Sequence, residues 1–216
     1  MMNKLEMWLS KWRLKPNPRK SQYIIFHHKI SQNSPSITIK GIAKKPTAEI
    51  KYLGVEVDNK MNFNKYTKAI KKRTISRAKT FTKLTVRNRG INTNNAVKIY
   101  KTICRPVLEY AHPIFANCRR PALNNLKTAE TTSLRTITKI RHPENRIHNP
   151  PNELLYQITN IQPIEERLKK LNKNFYALLK DSQDILDLFH HEHIAQAARK
   201  YPPKSLILTL EEQERN

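Results

Sequence analysis

A chain of 216 residues with 41 Lys and Arg against 17 Asp and Glu carries a formal charge of +24 and has a pI near 10.2, far from the balanced surface of most enzymes. Its hydrophobic share of 38% and mean hydropathy of −0.71 predict helices with a single apolar face, and no apolar run approaches the roughly 20 residues that span a bilayer. Two cysteines, Cys104 and Cys118, make neither a disulfide framework nor a zinc ligand pair, and Lys4, Glu6, Lys11 and Arg13 interrupt any signal-peptide core, so the expected location is nuclear or cytoplasmic.

The first segment, "NKLEMWLSKWRLKPNP", places Leu5, Trp8, Leu9 and Trp12 at the period of an amphipathic helix, which Pro16 and Pro18 stop. "SQYIIFHHK", "SITIKG" and "EIKYLGVEVD" read as three short strands. Gly54 lies within the last of them, where a position without a side chain implies a bulge or the close approach of another backbone. Residues 1–62 are therefore predicted as a small α+β unit, abruptly cut at its N-terminus.

From Asn64 the pattern becomes helical. Asn64 as N-cap and Gly90 just past the end frame a helix of about 25 residues, with Tyr66, Ile70, Thr74, Ala78, Phe81 and Leu84 as its apolar stripe. The next helix starts at a Thr/Asn cap and turns Val97, Tyr100, Cys104, Val107, Leu108 and Ala111 to one side. Pro106 predicts a kink at Arg105 or a relay into a second helix. "ALNNLKTAETTSLRTITKI" directs Leu123, Leu126, Ala129, Leu134 and Ile137 inward, so residues 63–140 form a helical domain. Residues 141–216 comprise a Pro/Asn/His-rich linker and C-terminal helices, with Ile164, Leu168, Leu171, Phe175 and Leu178 in period.

Between Asp58 and Glu109 fifty residues pass without one acid. Lys65, Lys68, Lys71, Lys72, Arg73, Arg77 and Lys79 fall in this stretch. Stacking like charges at i,i+3 and i,i+4 costs helix stability, and an external anion relieves that repulsion. The pattern points to phosphate binding, with an indifferent basic surface as the alternative. Phosphate contacts position a protein without reading sequence, and the helix lacks the Arg/Asn/Gln pattern of a major-groove reader. The partner expected is thus a nucleic-acid duplex or hybrid tracked along its backbone.

The segments "WLSKWRLKPNPRKSQYIIF", "IKYLGVEVDNKMNFNKYTKAIKKR", "AVKIYKTICRPVLEYAHPIFANC" and "PPNELLYQITNIQPIEERLKKLNKNFYALL", in this order, resemble the reverse transcriptase of non-LTR retrotransposons of the Jockey type. The resemblance runs from about Leu5 to about Leu179. It implies an α+β fold: a truncated C-terminal part of a polymerase palm, with a helix and three short strands, followed by a mainly α-helical thumb and C-terminal helices. By the same resemblance Asn17 and Lys20 match the family's motif D. Tyr52, Leu53 and Gly54 match its primer grip, a hairpin that presses on the primer end, and the lysine-rich helix opens its thumb.

The family's chemistry needs two divalent ions, Mg²⁺ in the complete enzyme, held by carboxylates on the palm. This sequence has only Asp58, Asp181, Asp184 and Asp187 as aspartates, none of them in an (F/Y)ADD turn, so no catalytic or metal-binding residue is assigned. The resemblance implies that the chain begins just after that turn, that its nucleic-acid partner is an RNA template, an RNA/DNA hybrid or a DNA duplex, and that the missing polymerase half would be a further partner if the chain is truncated. The chain alone is then expected to be inactive. The other readings are a non-catalytic basic nucleic-acid-binding protein and a degenerate element product. A superficially metal-like run, Asp184, Asp187, His190, His191 and His193, is read as a polar helix face.

Overall fold

The structure, a computed structural model, describes residues 2–26, 36–85, 92–115, 118–140, 142 and 149–180. Gly90, most of the expected linker and the run from Asp184 to His193 lie outside the described residues. The chain divides at Asn62 and Phe63 into two units.

In the first unit helix α1 (Met2–Lys11) forms as its periodicity predicts. Its aromatic stripe is nevertheless exposed, with the Trp8 and Trp12 rings 6.3 Å apart. Four short strands follow among the described residues, where three were expected. Strands β1 (Ile37–Ile39) and β2 (Ile42–Lys44) form one antiparallel hairpin, and β3 (Glu49–Tyr52) and β4 (Val55–Asp58) form another. Residues 21–26 are not a strand, although the Tyr23 carbonyl accepts the Thr47 N–H at 2.9 Å. "EIKYLGVEVD" is thus a folded-back pair of strands and not a continuous one. The Glu6 carboxylate accepts the Lys40 N–H at 3.1 Å and so ties α1 to the first hairpin's turn.

Among its described residues the second unit is helical. Helix α2 (Asn64–Thr85) buries Tyr66, Ile70, Thr74 and Ala78 of the stripe expected of it and leaves Phe81 half-buried. Asn64 is not its cap: the first helical bond runs from the Thr67 N–H to the Phe63 carbonyl, which makes Asn64 the first residue of the helix. Next comes α3 (Thr93–Ile99), capped by the Asn92 side chain, which accepts the Asn94 N–H at 3.0 Å. It continues without a break through a π-helical turn (Tyr100–Cys104) into α4 (Arg105–Glu109). Pro106 has no N–H, and its ring crowds the carbonyl four residues back. The wide turn accommodates this, with the Arg105 N–H donating to the Tyr100 carbonyl. The predicted kink is therefore a change of helical pitch.

After the short α5 (His112–Phe115), helix α6 (Arg120–Thr138) lies along α2 and also meets α3, α7 (Asn152–Thr159) and α8 (Ile164–Lys180). One core cluster joins Ala78, Val97, Tyr100, Cys104, Leu134, Ile137 and Leu155 across these helices. Leu178 departs from its predicted place and is exposed. Both cysteines are free thiols, and burial pushes each up to about 11, so they stay protonated at neutral pH.

At the centre of this unit sits a buried carboxylate. Glu130 of α6 is fully enclosed. It accepts the Tyr100 hydroxyl at 3.3 Å, the Tyr156 hydroxyl at 2.9 Å and the Ile164 N–H at 2.7 Å. The last is an otherwise unpaired amide at the N-terminus of α8, where the helix dipole favours negative charge. Burial raises the Glu130 pKa, and these donors together with the Arg105 charge only partly offset the rise. A second anchor lies beside it. Glu109 takes Arg105 Nε at 2.8 Å and Arg167 Nε at 2.9 Å, and Arg105 also donates to the Gln162 carbonyl at 2.9 Å.

Replacing Glu130 with Ala strands three donors, and we expect it to lower stability to urea by about 3 kcal/mol. Glu130→Gln isolates the titration. A carboxyl whose folded pKa lies above its unfolded value of about 4.3 binds its proton more tightly when folded. The wild type should therefore lose stability relative to Glu130→Gln as pH rises through the window between the two values, and hold constant above it. A difference that stays flat from pH 4 to pH 8 would contradict this.

Candidate nucleic-acid interface

Helix α2 advances 100° per residue, so the residues opposite its buried stripe are fixed by spacing alone. Lys65, Lys68, Lys72 and Lys79 fall on that far side, with Lys71 at its edge toward α6. Between α2 and α6 lies an open groove of about 580 Å³, lined by Lys68, Lys71, Lys72, Ile75, Ser76, Lys79 and Asn125. No carboxylate lines it. Four ammonium groups thus share one concavity with an apolar patch and two neutral polar side chains, a surface suited to a polyanion.

The packing beneath this groove depends on threonines. Thr67 and Thr74 are fully buried on the α6 side of α2. Their hydroxyls donate to the Asn64 carbonyl at 3.2 Å and the Ile70 carbonyl at 2.9 Å. Satisfied within their own helix, they can be buried without cost to the lysine face.

Of the seven cations expected to bind, Lys68, Lys71, Lys72 and Lys79 meet in the groove, and Lys65 lies one turn before them on the same face. Arg73 and Arg77 lie on the opposite flank. Arg77 donates to the Ile103 carbonyl at 3.3 Å. Arg73 lies close enough to Tyr66 to act on its hydroxyl, which burial and Tyr110 push up to about 12 against the pull of Arg73.

The remaining candidate residues belong to the first unit. Asn17 organises a turn and not the start of a strand: its Oδ1 accepts the Arg19 N–H at 3.0 Å and the Lys20 N–H at 3.3 Å, and its carbonyl accepts the Ser21 hydroxyl at 2.8 Å. This side-chain turn accounts for Asn17 locally and leaves Lys20 exposed. Tyr52, Leu53 and Gly54 form the tip of the β3–β4 hairpin. Tyr52 pairs with Val55, so Leu53 and Gly54 are a two-residue turn, with φ of +46° and +84°. Positive φ at both positions is the mirror-image turn whose twist matches the flanking strands. Gly54 is needed for this backbone conformation, which accounts for the missing side chain without a bulge. Leu53, 72% exposed, holds the same conformation at a cost that an Asn or Gly would not incur.

Two residues were missed from the sequence. Asn125 looked like an ordinary polar position and proves to line the groove. Glu130 carried a signal: it is four residues from both Leu126 and Leu134, in the middle of the inward stripe. Among the described residues no three His, Cys, Asp or Glu side chains come together. No described helix is long and apolar enough to cross a membrane.

The relatives of this basic, two-unit chain are RNA-directed DNA polymerases of transposable elements. The RNA-directed DNA polymerase from mobile element jockey of Drosophila funebris is 28% identical over 137 residues, 63% of this chain and 15% of that protein. The probable RNA-directed DNA polymerase from transposon BS of Drosophila melanogaster is 22% identical over 183 residues, 84% of this chain and 20% of that protein. The jockey polymerase of Drosophila melanogaster is 21% identical over 137 residues, again 63% of this chain and 15% of that protein. The chain therefore spans about a fifth or less of the length of these relatives. No family model matches it, and no solved structure does.

The turn assignment predicts opposite effects for two neighbouring substitutions. Leu53→Asn should stabilise the hairpin, by up to about 1 kcal/mol, and Gly54→Ala should destabilise it by about 1 kcal/mol or more. Amide hydrogen exchange of residues 49–58 reads both. If Gly54→Ala leaves their protection unchanged, the turn is not as described.

Proposed function

We propose that this chain is the template-primer-holding part of a retrotransposon RNA-directed DNA polymerase. Residues 1–62 would be the end of the palm, and the helical unit from Phe63 onward would be the thumb. The observation that carries the reading is the groove on α2, where Lys68, Lys71, Lys72 and Lys79 converge with no carboxylate among the lining residues. The relatives' description as RNA-directed DNA polymerases supports it.

In this reading the four ammonium groups take successive phosphates of an RNA/DNA hybrid or a DNA duplex. Binding is then independent of sequence and sensitive to salt. The hairpin tip at Tyr52, Leu53 and Gly54 serves as primer grip, and Lys20, held on the turn that Asn17 organises, lies toward the incoming nucleotide. The Mg²⁺ ions of the complete enzyme belong to carboxylates outside the residues assigned here, and this chain by itself binds without polymerising.

The triple variant Lys68→Ala, Lys72→Ala, Lys79→Ala tests the groove. Affinity for an RNA/DNA hybrid, measured by fluorescence anisotropy from 50 to 300 mM salt, should fall at least about tenfold. The slope of log K against log salt should become shallower by about 2 to 3, close to one unit per lost contact. Unchanged affinity and slope would refute the assignment of α2 as the binding helix.

A further inference from the structure

The groove holds one side chain that a phosphate site does not need. Asn125 reaches it from α6, between the lysines of α2. Its orientation is set by a relay of hydrogen bonds. The Thr67 hydroxyl, fully buried, donates its single proton to the Asn64 carbonyl at 3.2 Å. It can therefore only accept from Asn125, whose Nδ2 donates to it at 3.2 Å. This fixes which end of the amide faces inward. The polar atoms that Asn125 has left for the groove are Oδ1, an acceptor, and the second N–H, a donor.

The second N–H could serve a phosphate, but the oriented acceptor beside it could not, because a phosphate oxygen and an amide oxygen repel. The group that suits Asn125 donates one hydrogen bond, accepts another and lies beside a phosphate backbone. A ribose 2′-hydroxyl has this chemistry, and a deoxyribose lacks it. Helices of A-type form display their 2′-hydroxyls along a wide, shallow minor groove flanked by phosphates. Lysines on the phosphates then bring Asn125 to the sugars between them. Lys68 and Lys79 are about 16 Å apart along α2, long enough to track several nucleotides.

We infer that Asn125, oriented by Thr67, reads the ribose 2′-hydroxyl and so makes the groove select a strand of RNA over one of DNA. The inference rests on the groove being a nucleic-acid site, and it adds the sugar as the feature recognised. Asn125 is a specificity determinant here, and Thr67 is its positioning residue. Thr67→Val abolishes the relay while keeping the shape, so it frees the amide to rotate and should weaken selectivity without touching the lysines.

The experiment compares the full chain with Asn125→Leu, Thr67→Val and Lys68→Ala/Lys72→Ala on an RNA/DNA hybrid and a DNA duplex of the same sequence at one salt concentration. The wild type should prefer the hybrid by about five- to tenfold, the worth of one to two hydrogen bonds. Asn125→Leu should remove that preference by weakening the hybrid alone, and Thr67→Val should remove part of it. A hybrid whose RNA strand carries 2′-fluoro in place of 2′-hydroxyl keeps the backbone and loses the donor. It should bind wild type like the Asn125→Leu variant binds the unmodified hybrid, with no further loss when the two changes are combined. The comparison of natural and 2′-fluoro hybrids on the wild type alone needs no altered protein and stands even if a variant fails to fold. Equal affinities of wild type for the natural and 2′-fluoro hybrids would overturn the inference about the sugar while leaving the lysine groove intact. Loss of hybrid binding that is absent in Lys68→Ala/Lys72→Ala would overturn the groove itself, and the inference with it.

Discussion

A single buried carboxylate organises the helical unit. Glu130 brings together a hydroxyl from the π-helical turn, a hydroxyl from α7 and the first amide of α8. Each of these donors would be costly to bury alone, and each comes from a different part of the chain. The carboxylate is itself held at a desolvation cost, as its raised pKa records. What it secures is the geometry of α6. Asn125, about 140° around that helix from Glu130, then projects into the groove that α6 shares with α2. One face of α6 thus enters the interior polar cluster, and another lends Asn125 to the groove whose lysines α2 supplies.

The cationic face has a parallel internal cost. Four lysines facing one concavity repel each other, and α2 offsets this with the burial of Tyr66, Ile70 and Ala78 and with threonines satisfied by their own backbone. Stability is supplied on one side of the helix and spent on the other.

Much of this architecture is legible in the sequence where periodicity decides the outcome. The stripe from Tyr66 to Ala78 and the face through Val97, Tyr100 and Cys104 follow from spacing, and so does most of the inward side of α6. The hairpin tip was harder to read. Gly54 in a run of β-formers fits a bulge as well as a turn, and Leu53 lacks the Asn or Asp that usually announces a mirror-image turn. The sign of two φ angles separates the cases, and composition does not encode it. The β-rich composition at residues 21–26 misled in the opposite direction, since this segment is not a strand although the Tyr23 carbonyl accepts both the N–H and the hydroxyl of Thr47. Glu130 and Asn125 became intelligible only through contacts made 26 to 58 residues away in the chain. The lysine groove was readable as a charge pattern, but its division from Arg73 and Arg77 required the helix to be placed against α6.

The π-helical turn bears on how related chains should be compared. A wide turn takes up one residue more than an α-turn, so the segment before Tyr100 and the segment after Cys104 are out of phase by about 100°. That offset carries Arg105 inward, next to the Gln162 carbonyl, when an uninterrupted helix would swing it toward solvent. A homologue without a proline at this place and one residue shorter would present the same two faces with ordinary pitch. A gap placed between Ile99 and Arg105 in an alignment is therefore structurally silent. The same gap placed elsewhere in the helix would rotate half of its core into water.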